Sequence, residues 1–168
     1  MEAPDLRCEG ESTMERWEDR LLAAYVRGMA RRNLPLLPPS LMETPLELLT
    51  AEEIETIFHA GEAAGLKLYY FKKKELLPRV KAVLGFLRSV QPESLLDVGS
   101  GRGVFLSPFL TEFPWIQVTA ADILPHRVQM LQAIADGGIE NLTILERDVC
   151  QWTEEEKRFD VVTLLEVL

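Results

Sequence analysis

The chain has 168 residues, 47% of them apolar and a mean hydropathy near zero, so it can bury a sizeable core as one domain, or as one domain with a helical extension. Its 27 acidic residues against 18 basic ones give a net charge of −9, which argues against general binding to nucleic acid or an anionic membrane surface and leaves room only for a local basic patch. No apolar run reaches membrane-spanning length, the acidic N-terminus lacks the apolar region of a signal peptide, and Cys8 and Cys150 stand far apart, so the expectation is two free thiols in a reducing cytoplasm, with no metal site.

Met1 to Glu11 reads as a disordered leader. Ser12 and Glu15 then form a capping-box pattern for a helix to about Arg32, with Met14, Trp17, Leu21, Leu22, Tyr25, Val26 and Met29 on one stripe. Packing against the main domain is the expected use of that stripe, and a mobile lid is the alternative. Pro35, Pro38 and Pro39 mark a linker from Asn33 to Thr44. Thr44-Pro45-Leu46-Glu47 and then Thr50-Ala51-Glu52-Glu53 are helix-start signals. The second should open a helix that buries Ile54, Ile57, Phe58 and Ala64 and stops at Gly65. His59 lies beside that face without a second ligand-type residue, which makes it structural or solvent-facing. Tyr69, Tyr70 and Phe71 run into Lys72, Lys73 and Lys74, a junction better read as a solvated helix start than as a nucleic-acid surface. A third helix should begin near Glu75, bury Leu76, Val80, Val83, Leu84 and Leu87, and end by Pro92.

From Ser94 onward, strands and helices alternate, which predicts a parallel sheet covered on both faces. Strand one is Ser94 to Val98. It opens into Gly99-Ser100-Gly101-Arg102-Gly103, a tight turn at a helix N-terminus where a ligand can approach the backbone. The following helix is predicted from about Gly101 to Glu112, kinked at Pro108. Strand two is Gln117 to Ala121, closed by Asp122, and Pro125 starts a helix to about Ala135, with His126 facing solvent. Strand three is Leu142 to Leu145, followed by Asp148. Trp152 to Lys157 is a short acidic helix or turn, and strand four is Phe159 to Leu165. Asp97, Asp122 and Asp148 thus stand at three successive strand ends. Each taken alone is an ordinary turn or cap acid. A dinucleotide fingerprint would need its third glycine where Val104 stands.

The form acid-x-G-x-G-x-G, from Asp97 to Gly103, resembles motif I of class I S-adenosylmethionine-dependent methyltransferases. The resemblance runs from about Leu95 to the end of the chain and is strengthened by the order of the acids. It implies an α/β fold with a Rossmann-like, doubly wound parallel sheet, of which strands one to four are present, preceded by an N-terminal helical region. It implies S-adenosyl-L-methionine as cofactor and S-adenosyl-L-homocysteine as product, with in-line displacement at the sulfonium methyl and no metal. By this likeness Gly99, Ser100, Gly101 and Gly103 shape the methionine loop, and Asp97 meets the methionine ammonium directly or through water. Asp122 would hold the ribose, Ile123 would pack on the adenine, and Asp148 with Val149 would meet the adenine edge. Phe159 to Leu168 looks like the family's motif IV. There Asp160 is structural, Leu165 and Glu166 lie near the methyl, and the catalytic residues are unassigned. Arg102 is as well read as surface as it is as an anion clamp.

The division expected is a leader over 1–11, a helical region over 12–92 and a cofactor-binding domain over 93–168 that is incomplete at its C-terminal end. The resembled fold has strand order 3-2-1-4-5-7-6, so strand four would be an open edge and the chain part of a longer protein. The acidic charge makes a small-molecule methyl acceptor the expectation ahead of RNA. A non-catalytic cofactor-binding or scaffolding domain and a nucleotide-dependent oxidoreductase are the rivals.

Overall fold

The computed structural model describes residues 9–33, 37–71, 76–152 and 158–165. Lys72 to Lys74, most of Trp152 to Lys157, Cys8 and Glu166 lie outside these residues, as do the side chains of Met14, Trp17, Tyr69 and Tyr70.

Helix α1 (Glu9–Asn33) begins ahead of Ser12, which therefore sits inside the helix rather than at its cap. The expected linker holds a short helix, α2 (Pro39–Glu43), because Pro39 occupies the first helical position, where its missing N–H and fixed φ cost nothing. Helix α3 (Ala51–Ala63) starts with the predicted capping box. The Glu53 amide donates to Thr50 Oγ1 at 3.2 Å and the Thr50 amide donates to Glu53 Oε2 at 2.8 Å, an arrangement worth about 1 kcal/mol. Ile57 is fully buried, and Ile54 and Phe58 pack on the core. His59 is exposed beside Glu55 and Glu62 on the same helix. Helix α4 (Pro78–Val90) begins three residues later than expected, with Pro78 itself at the first position, and buries Val80, Leu84 and Leu87.

Four parallel strands follow: β1 (Ser94–Val98), β2 (Gln117–Asp122), β3 (Leu142–Glu146) and β4 (Val161–Leu164), in the order β3-β2-β1-β4. Between them lie α5 (Leu106–Glu112) and α6 (Pro125–Asp136). The kink expected at Pro108 is absent. The glycine-rich turn consumes residues up to Phe105, so α5 starts at Leu106 and Pro108 falls in its first turn, where no backbone donor is lost.

One face of the sheet, carrying Leu95, Val118, Ala120 and Leu142, shares a single core with α1, α3, α4, α5 and α6. Two glycines bring α1 and α6 together backbone to backbone. A Cβ on Gly28 would lie 1.7 Å from the Ala133 carbonyl oxygen, and one on Gly137 would lie 1.7 Å from that of Ala24. The opposite face carries Leu96, Val98, Ala121 and Leu145, and among the described residues Val149, Trp152 and Phe159 pack on it. Cover on the two faces is thus uneven. Among the described residues no helix is long and apolar enough to cross a membrane, and no group of side chains could hold a metal ion.

Candidate functional site

Parallel pairing brings the C-terminal ends of β1, β2 and β4 to one edge, and the loops leaving that edge make the site. Gly99, Gly101 and Gly103 all take positive φ, at 68°, 59° and 72°, so this turn closes only with residues that lack a Cβ. Asp122 fastens it from behind. One carboxylate oxygen accepts the Gly101 amide at 2.8 Å and the other accepts the Leu124 amide at 2.9 Å, while Arg127 Nη1 lies 3.8 Å away. Asp122 is buried, and it is held as much by these amides as by any charge.

Asp97 is the electrostatic centre. It is 2% exposed, one carboxylate oxygen accepts from Thr163 Oγ1 at 2.8 Å, and the other has no hydrogen-bond partner. Burial pushes its carboxyl up to about 6, against the nearby Ser100 and Thr163 hydroxyls that pull it down, with the Asp122 charge adding to the rise. A buried carboxylate with an empty lone-pair direction is a receptor for a cation or a donor. It stands in the wall of a cavity of about 280 Å³ together with Gly99, Ser100, Gly101, Arg127 and Leu165.

The structure therefore brings Asp97, Gly99, Ser100, Gly101 and Leu165 to one cavity. Gly103 lies at the end of the same turn and lines a separate apolar cavity of about 500 Å³ beneath α1, while Arg102 borders both. Ile123 is 59% exposed just past the β2 end. Asp148 caps a 3-10 turn over Val149–Gln151, accepting from the Cys150 amide at 2.9 Å and from Gln151 Nε2 at 3.2 Å. Val149 packs on the thinly covered face of the sheet. Asp160 accepts the amides of Glu93 and Ser94 at 2.9 Å each, binding the start of β4 to the start of β1 at the far end of the sheet. Sequence reasoning missed Thr163 and Arg127. The first becomes visible only when β4 is set beside β1 in register, where it lies opposite Asp97. The second sits in the first turn of α6, in a position that helix patterning reads as surface.

The chain is 34% identical over 94 residues to the ribosomal RNA small subunit methyltransferase G of Lactococcus lactis subsp. cremoris (strain MG1363), a match covering 54% of this chain and 40% of that protein. It is 31% identical over 93 residues to the release factor glutamine methyltransferase of Koribacter versatilis (strain Ellin345), covering 52% of this chain and 33% of the relative. The chain thus spans well under half the length of these curated relatives. Their names carry an RNA and a protein as acceptors, which overturns the expectation of a small-molecule acceptor. That expectation rested on net charge, a whole-chain average that is silent about the local surface an acceptor touches. A family model described as methyltransferase domain matches residues 69–168, more than half of the chain. With that match and four parallel strands in a Rossmann-like sheet, the chain belongs to the class I methyltransferase domain family, whose members take S-adenosyl-L-methionine as methyl donor.

Proposed function

We propose that this chain binds S-adenosyl-L-methionine at the glycine turn and serves methyl transfer to a macromolecular acceptor, with structured RNA as the first acceptor to test. The observation that carries the donor site is the unpartnered, buried oxygen of Asp97 in the cavity wall. The methionine end of the donor carries an ammonium, and a carboxylate short of one partner fits it. When bound, the donor supplies an electrophilic sulfonium methyl. The chain's own residues do the holding. Asp97 would accept from the ammonium, oriented by Thr163, while the turn of Gly99, Ser100, Gly101 and Gly103 admits the ligand against its backbone. Asp122 keeps lone pairs beyond those taken by Gly101 and Leu124 with which to accept ribose hydroxyls. Ile123 would offer an apolar surface to the adenine, with Asp148 and Val149 at its edge. Leu165 would lie at the methyl end. In this division 93–168 is the donor-binding part, and the helical part that precedes it includes α1 from Glu9.

The RNA acceptor is supported by the likeness to ribosomal RNA methyltransferases, and a protein acceptor by the likeness to the release factor enzyme. Calorimetric titration with S-adenosyl-L-homocysteine tests the donor site. Binding by the wild-type chain that falls at least ten-fold in both Asp97→Asn and Asp122→Ala is expected, and equal binding by all three overturns the assignment. Transfer of labelled methyl to small-subunit ribosomal RNA rather than to release factor protein decides the acceptor.

A further inference from the structure

At the opposite end of the sheet from the glycine turn lies a cavity of about 650 Å³. It is enclosed by the C-terminal half of α1, the Met42–Glu47 segment, the approach to β2 at Pro114 and Trp115, and the turn between α6 and β3. Arg27 stands in its wall. This side chain is 2% exposed, and its Nε and Nη2 have no hydrogen-bond partner; among the described residues it makes no ion pair. Two buried guanidinium nitrogens left without acceptors are costly, and folded proteins rarely keep them without an ion or water nearby. Arg31, one helical turn on, lines the same cavity and donates to the Asp136 carbonyl oxygen at 2.5 Å. Burial lowers the Arg27 pKa and the Arg31 charge lowers it further, against the pull of Glu53 and Glu47. Two cations are therefore held close together with no counter-ion in contact with the inner one.

We propose that this cavity is an anion site in which Arg27 and Arg31 hold the carboxylate or phosphate group of a compact ligand. The arginine fork matches either group in a bidentate fashion. Glu43, Glu47 and Glu140 also line the cavity, and they would repel the successive charges of a nucleic-acid strand. A ligand whose charge sits in one group sets fewer charges against those glutamates. The exposed ring of Trp115, 71% accessible, gives the body of such a ligand an apolar wall.

Thermal unfolding of the full chain at fixed ionic strength tests this, with inorganic phosphate or acetate replacing chloride. At ten times its Kd the bound anion should raise Tm by about 3 to 6 °C. Arg27→Met should abolish the rise and Arg31→Gln should weaken anion binding about ten-fold. Should Arg27→Met fail to unfold cooperatively, Arg31→Gln and Arg27→Lys, which keeps charge but loses the fork, carry the comparison. A rise with phosphate alone supports a phosphate monoester as ligand, and a rise with acetate as well supports a carboxylate. No rise with either means the cavity holds water alone, and an equal rise in wild type and variants places the anion elsewhere; either result overturns the proposal. Tighter binding of an RNA oligonucleotide through Arg27 would overturn the compact ligand.

Discussion

Val161 and Val162 are neighbours on β4, yet the first packs against the core beneath the helices and the second is 50% exposed. The same division runs across the sheet. Among the described residues, side chains pointing one way interlock with five helices, and those pointing the other way meet a small group around Trp152 and Phe159, with Leu164 60% exposed. Asp97 alternates with Leu96 and Val98 along β1, so it belongs to the helix-covered face together with Leu95 and with Thr163 opposite. The donor site is built at the lip of the well-packed face, where neighbouring positions are fixed by a dense core. The other face contributes apolar surface without that fixity.

Substitutions should separate the two faces by size of effect. Phe109→Ala, in the stack of Phe105, Phe109 and Phe113 with centroids 5.5 and 5.2 Å apart, should cost about 3–5 kcal/mol in denaturant unfolding. Gly28→Ala sets a methyl against the Ala133 carbonyl and should cost about 3 kcal/mol, since two backbones must part to admit it. A wild-type-like midpoint in either variant would break the claim that the helix-covered face carries the fold.

Asp97→Asn should act in the opposite direction. The folded carboxyl titrates at about 6, above its ordinary value of 3.8, so the folded state holds its proton more tightly than the unfolded chain does. This stability is full below about pH 4, falls as pH rises toward 6, and above that leaves a deficit of about 3 kcal/mol. The amide removes most of the deficit, so the ligand-free variant should be more stable by about 2 kcal/mol at pH 7 and flat between pH 4 and 6. A pH-dependent difference of the other sign would show that the charged form is satisfied within the protein. On the thinly covered face, Val162→Thr should change stability by no more than about 0.5 kcal/mol, because a half-exposed position has little to lose. A loss near that of Phe109→Ala would erase the contrast.

Much of this was legible in the chain. Ser94 to Val98 announces a buried strand because an apolar run meets three alternating glycines, and Thr50 with Glu53 announces a helix because the capping pair is local. The start of α5 was not, since helix signals cannot tell how many residues a glycine turn uses before the first helical hydrogen bond. The bond between Thr163 and Asp97 joins residues far apart in sequence, so only strand register reveals it. In the sequence Arg27 is one of several basic residues late in α1, and nothing local marks it as buried. Whether a charge on an amphipathic helix faces water depends on what is packed over that helix.

The paired glycines of α1 and α6 bear on where this protein can be cut. The family match begins at residue 69, which would suggest expressing the matched region alone. Such a fragment would lack α1 and its buried Leu21, Leu22 and Val26, and would leave Leu131 and Ile134 of α6 facing solvent. The boundary drawn by sequence kinship falls inside the unit that must fold together, so α1 has to travel with the sheet.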